Sequence, residues 1–168
     1  MKRKDLMVAT IGIMVMLLSV SSYAFQNEPR GFRGLRWGQR RTPDMVLVEE
    51  AYNRKGYKRP DDELTLGEAK LTAITYNFLD QGYRQSFMAI YIEFDKDSYK
   101  TLASICEQKF GEPHKKLINE LLWIGVRSNV IIHYNVFDRK AALLMTDKRL
   151  FEKYLKDKQQ SKEAEKDW

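Results

Sequence analysis

Only a few side chains in this sequence have the chemistry to act as nucleophile, base, metal ligand or anion clamp. The single thiol is Cys106. Reactivity requires a thiolate favoured by a helix N-terminus or a nearby cation. Cys106 instead falls between Leu102 and Phe110 on the apolar stripe of a predicted helix, late in its run, and reads as a buried small hydrophobe. The two histidines, His114 and His133, have no second histidine or cysteine at ligand spacing. His114 follows Pro113 in a predicted loop, and His133 sits on a predicted strand. Carboxylates cluster at Glu49-Glu50, Asp61-Asp62-Glu63 and Asp95-Lys96-Asp97. Acid–base work needs a fixed separation and a shifted pKa, which adjacency alone does not provide. Asp95 and Asp97 are explained as helix caps. No G-x-S-x-G, P-loop, H-E-x-x-H or dinucleotide fingerprint occurs. The expectation is therefore no catalytic constellation, no metal site and no cofactor.

Arginine is the exception. Arg30, Arg33, Arg36, Arg40 and Arg41 alternate with Phe32, Leu35 and Trp37. Guanidinium binds phosphate and carboxylate in bidentate fashion, and aromatics anchor interfaces. The candidate binding residues are Arg33, Arg36, Trp37, Arg40 and Arg41. The competing reading is an edge strand with Leu35 and Trp37 packed inward and the arginines in solvent. Residues 30–59 carry nine cations against three carboxylates. The whole 168-residue chain is +6. Such localised charge marks an interaction surface.

The start of the chain gives its expected address. Lys2, Arg3 and Lys4 precede an apolar run from Leu6 to Val20, then Ser22-Tyr23-Ala24. A charged start, a short apolar centre and a small-residue exit describe a secretory signal peptide. The run is shorter than the roughly 20 residues of a membrane span. Cleavage after Ala24 is expected, with an uncleaved anchor as the alternative. Three cations and one anion leave with the leader, so the mature chain is +4. The expected location is the periplasm, with secretion as the alternative. Nucleic acid is not an expected partner there, whereas an acidic protein or an anionic envelope surface is. With one cysteine, no internal disulfide can form, and the fold must be held by packing.

The positioning elements follow from periodicity. Gly31–Gly38 reads as a short strand, Thr42–Asp44 as a turn or helical turn, and Asn53–Glu63 as a polar loop. In Leu71–Leu79 and Phe87–Phe94 apolar residues alternate around Asp80-Gln81-Gly82, predicting a hairpin. The second run places Met88, Ile90, Ile92 and Phe94 on one face. A helix is predicted over 96–110, with Gly111 at its end and Pro113 beyond. Leu121–Val126 and Val130–Phe137 form a second hairpin across Ser128-Asn129, followed by a strand at Ala141–Met145. Asp147 caps a final helix with Leu150, Phe151, Tyr154 and Leu155 as its stripe. The fold class is α+β: a mostly antiparallel sheet of five to six strands with two amphipathic helices on one face. The other face, carrying Thr75, Asn77, Tyr91, His133 and Asn135, is expected to be partly wet. Residues 25–31 are a flexible lead, 32–156 one domain and 157–168 a disordered charged tail.

Phe32-Arg33-Gly34-Leu35-Arg36-Trp37-Gly38 resembles the opening of a group of small exported bacterial proteins, F-R-G-hydrophobic-x-W-G. Those proteins continue with a helix ending in aromatic-Gly-x-Pro, similar to Phe110-Gly111-Glu112-Pro113, and a strand bearing a tryptophan, as at Trp123. The resemblance spans about residues 30–146. It implies a periplasmic protein without assigned activity, and transfers no catalytic residue. The chain departs at Gln39-Arg40-Arg41, where the group has threonine. A fainter, fold-level likeness is to the small lipoprotein of the outer-membrane barrel-assembly machinery, whose lipid-bearing cysteine is missing here. The functional expectation is a non-catalytic binding or accessory module of the cell envelope. The alternatives are a small hydrolase or transferase using His133 with a carboxylate on the open sheet face, and a structural subunit self-associating through a sheet edge.

Overall fold

The computed structural model describes residues 25–135 and 140–164. The leader, its cleavage point, residues 136–139 and the last four residues of the expected tail lie outside the described residues. The chain forms β1 (Gly31–Phe32), β2 (Leu35–Arg36), β3 (Val46–Ala51), β4 (Arg54–Lys58), β5 (Thr65–Leu66), β6 (Ala69–Lys70), β7 (Ala73–Asp80), β8 (Gln85–Asp95) and helix α1 (Lys96–Phe110). It continues with β9 (Lys115–Leu117), β10 (Glu120–Ile124), β11 (Ser128–Tyr134), β12 (Lys140–Asp147) and helix α2 (Lys148–Ala164). Eight strands make one antiparallel sheet in the order β3-β4-β7-β8-β12-β11-β10-β9, while β1–β2 and β5–β6 are separate two-stranded ribbons.

The fold class is α+β with two helices and a large antiparallel sheet, as the periodicity indicated. The sheet has eight strands rather than five to six. The strands missed, β3, β4 and β9, lie at or next to its rims. Every residue of β3 and of β9 is exposed, and β4 reads Arg-Lys-Gly-Tyr-Lys, with only Gly56 and Tyr57 buried. Such segments form through ladder hydrogen bonds to a neighbour, without an apolar period to announce them. Asn53–Glu63 is thus not a loop throughout. Asn53, at φ 46°, turns β3 into β4, a conformation asparagine tolerates.

The helices do not share a face. Along β12, Ala141, Leu143 and Met145 join the larger core with Leu102, Cys106 and Phe110 of α1. Leu144, between them, packs with Leu79, Met88, Ala89 and with Leu150, Phe151 and Tyr154 of α2. Successive strand residues point to opposite faces, so α1 and α2 cover opposite sides. A bulge explains part of the error. Asn77 pairs with Ala89 but Phe78 with Phe87, leaving Met88 inserted. One extra residue reverses the alternation. Phe87 therefore joins Ile90 and Ile92, and Met88 faces α2.

The element β-β-β-β-α occurs twice, as β3, β4, β7, β8, α1 and as β9, β10, β11, β12, α2, with β8 and β12 joining the halves. Helix α1 has the predicted bounds. Gly111, at φ 80°, donates to the Glu107 carbonyl at its end. Asp95 stands at the N-cap position but makes no side-chain cap bond, whereas Asp147 Oδ1 accepts from the Leu150 amide at 2.8 Å. Helix α2 continues past residue 156 to Ala164. On the face left open beside it, Tyr91 and His133 are exposed, while Asn77 is buried and accepts from Arg54 Nη1 at 2.9 Å.

Candidate functional site: a basic pocket at the start of helix α2

The stretch expected to be a flexible lead is anchored by contacts. Phe25 is buried edge-on against Phe110, with ring centroids 5.4 Å apart. Asn27 Nδ2 donates to the Lys109 carbonyl at 2.8 Å. The Glu28 carboxylate accepts from the amides of Arg127 and Ser128. Gly125 makes room for this: a Cβ there would lie 2.3 Å from Glu28 Oε1 and 2.5 Å from the Ser128 carbonyl. Ser128 Oγ and Trp37 Nε1 both donate to the Pro29 carbonyl, at 3.0 and 2.8 Å. Residues 25–37 therefore form a strap across the ends of α1, β10 and β11.

The strap closes through the β1–β2 hairpin. Its two-residue turn, Arg33-Gly34, has φ of 45° and 80°, the positive pair that a primed hairpin turn needs. Trp37 then stacks over Phe87 at 4.7 Å, and the Gly38 amide donates to the Phe87 carbonyl at 2.8 Å. The chain is thereby tied to the first residues of β8.

The structure divides the five candidate residues three ways. Arg33 is spent internally. Its Nη1 bonds Asp62 Oδ1 at 3.2 Å and the Glu63 carbonyl at 2.7 Å, and its Nη2 bonds the Thr65 carbonyl at 2.6 Å. Asp62 also accepts from Tyr76 Oη at 2.7 Å. Burial, reinforced by that bond, pushes the Tyr76 hydroxyl above its ordinary pKa. Arg33 is thus a tie between the hairpin and the 59–65 loop. Arg40 and Arg41 line a second recess of about 500 Å3 with Arg84 and the exposed Tyr83. The Arg41 guanidinium lies 5.5 Å from the Tyr57 ring centre.

Arg36 and Trp37 line a pocket of about 560 Å3. Its remaining cations come from distant parts of the chain: Arg30 from the strap, Arg127 from the β10–β11 turn, and Lys148 and Arg149 from the first turn of α2. Asp147 and Glu152 are its two carboxylates. None of these five cations forms an ion pair among the described residues, whereas Arg33, Arg54, Lys55, Lys116 and Lys153 all do. The first turn of α2 contains no acidic residue. Helix N-termini carry partial positive charge and are stabilised by anions, so Lys148 and Arg149 stand at the unfavourable end. Five cations against two carboxylates, none of the five in an ion pair among the described residues, and the Trp37 wall together describe a site for an anion.

Sequence reasoning missed Arg127, Lys148 and Arg149, and left Arg30 out of the site. One signal was legible: a Lys-Arg pair directly after a capping aspartate opposes the usual charge bias of a first helical turn.

The other candidate groups are dispersed. Cys106 is 2% exposed, and burial pushes its thiol up to about 12. His114 Nδ1 accepts from the Ile124 amide at 3.2 Å. His133 Nδ1 lies 3.7 Å from Glu120 Oε2 on the exposed sheet face, in neither basic pocket. Among the described residues, no three His, Cys, Asp or Glu side chains gather as a metal site, and no helix is long and apolar enough to cross a membrane. No protein-family model, curated protein or solved structure matches the chain.

Proposed function

We propose that this protein is a non-catalytic accessory module of the cell envelope that binds an anionic, phosphate-bearing surface through the basic pocket at the start of α2. The observation that carries this reading is the convergence of Arg30, Arg36, Arg127, Lys148 and Arg149 on one pocket that holds only two carboxylates, with none of the five in an ion pair among the described residues. Folding gains nothing from gathering like charges at a helix N-terminus, so the arrangement serves a ligand of opposite sign. The leader sequence supports export to the periplasm, where anionic headgroups are the abundant source of such charge. Arg33, named with the other arginines from sequence, is assigned to structure instead.

The test is co-sedimentation with vesicles of phosphatidylglycerol in phosphatidylethanolamine, compared at low and high salt. The wild-type chain is expected to be retained and to be released by salt. Arg36→Gln, Arg127→Gln and Arg149→Gln together are expected to remove about 3 kcal/mol of affinity, at about 1 kcal/mol per cation near an anionic surface, or roughly a hundredfold. Equal retention of the triple variant would reject the reading. Binding to polyglutamate but to no vesicle would move the partner from lipid to acidic protein.

A further inference from the structure

A third cavity is walled in part by the strap itself, through Pro29, Gly31 and Phe32. It holds about 210 Å3 and is lined mostly by apolar side chains, among them Phe32, Leu66, Cys106, Phe110 and Met145, with Arg33 and Lys109 also on its wall. Four of those side chains are at least nine-tenths buried. Well-packed cores hold few voids larger than a water molecule. An apolar cavity of roughly 150 Å3 is enough to take up benzene, so this one has room for about six carbons.

Its position matters as much as its lining. Pro29 borders both this cavity and the basic pocket. Met145 lines the cavity and Asp147 lines the pocket. These two residues lie two positions apart on β12, on the same face of the strand, a separation of about 7 Å. The cavity and the pocket therefore adjoin, with the strap between them.

We propose that the two spaces form one composite site for a single-chain amphiphile with a phosphate head. The head lies among Arg36, Arg127 and Arg149, and a short length of alkyl chain passes under the strap into the apolar cavity. A guanidinium cluster matches a phosphate dianion better than a carboxylate, because bidentate pairing and charge both increase. This inference rests on the anion-binding reading and specifies what the anion carries.

The experiment titrates the full mature chain with methyl, butyl, hexyl and octyl phosphate by calorimetry, below their micelle concentrations. Affinity is expected to rise about threefold to fourfold per added methylene until the cavity is filled, near six carbons, and then to level off. Hexyl glucoside, with the chain but no charge, is expected to bind at least tenfold more weakly than hexyl phosphate. Leu66→Phe is expected to flatten the chain-length dependence. Ile105→Phe, at another half-buried wall position, gives the same readout if Leu66→Phe does not fold. Methyl phosphate that binds in an Arg36- and Arg127-dependent way, with no gain along the series, would overturn the composite site and leave the basic pocket standing. Failure of every phosphate to bind would overturn both. Octanoate binding as tightly as octyl phosphate would overturn the phosphate assignment.

Discussion

Arg33 and Arg36 stand three positions apart and look interchangeable in sequence, yet their environments assign opposite roles. Arg33 satisfies two backbone carbonyls and Asp62. Removing a charged donor leaves those acceptors without their partner, at about 1.5–3 kcal/mol. Arg33→Gln is therefore expected to lower stability in urea by that amount while vesicle retention of the folded fraction is unchanged. Arg36 is exposed and has no ion pair among the described residues. Arg36→Gln is expected to shift stability by less than about 0.5 kcal/mol and to weaken vesicle binding by about 1 kcal/mol, roughly fivefold. If the two variants behaved alike in both assays, the division between tie and site would fail. The sequence marked both arginines equally because residue type and spacing describe what a side chain can bond, not which partner folding brings to it. The partners of Arg33 lie 29 to 32 positions away.

Helix α2 is where local stability and the proposed activity conflict. Asp147 caps it, as the sequence indicated. Lys148 and Arg149 follow directly, against the dipole. Lys148→Glu with Arg149→Glu is expected to raise stability by about 0.3–1 kcal/mol per site at low salt, seen as a higher thermal midpoint, while vesicle binding is lost. A lower midpoint would mean that these cations already serve the fold. Asp147→Ala, by contrast, is expected to cost about 1 kcal/mol through loss of the cap. Helix α1 was legible to the residue because stripe, glycine terminator and proline stop agree. The strands at or next to the rims, β3, β4 and β9, were not, because none of them alternates between apolar and polar residues. The bulge at Met88 was equally invisible, since one inserted residue changes which face a side chain takes without changing its type.

At the scale of the molecule, stability comes from packing on both faces of one sheet, with Cys106 free and buried rather than cross-linked. The Cys106 thiol is held neutral by burial, up to about 12 against an ordinary value of 9. The folded state keeps its proton where the unfolded chain loses it. That contribution is complete below pH 9 and is lost as pH rises from 9 toward 12. Tyr76, raised by burial and by its bond to Asp62, acts in the same direction above pH 10. Stability measured in urea is therefore expected to fall through this alkaline window, and less steeply in Cys106→Ala. At pH 8 a disulfide reagent is expected to label Cys106 slowly in the native protein and quickly in urea; rapid native labelling would contradict its burial. By itself, the sequence determined the α+β class, the strand partners of the two hairpins, the bounds of α1, the cap of α2, the fate of the lone thiol and the basic character of the strap; it ended α2 too early and set the second hairpin's turn at Ser128-Asn129, which belong to β11. What it determined follows from local periodicity and residue chemistry within about fifteen positions. Tertiary structure alone decided which face each helix covers, how the rim strands complete the sheet and which cations share a pocket. These depend on contacts such as Glu28 with Ser128, a hundred residues apart, and no local pattern encodes a meeting at that distance.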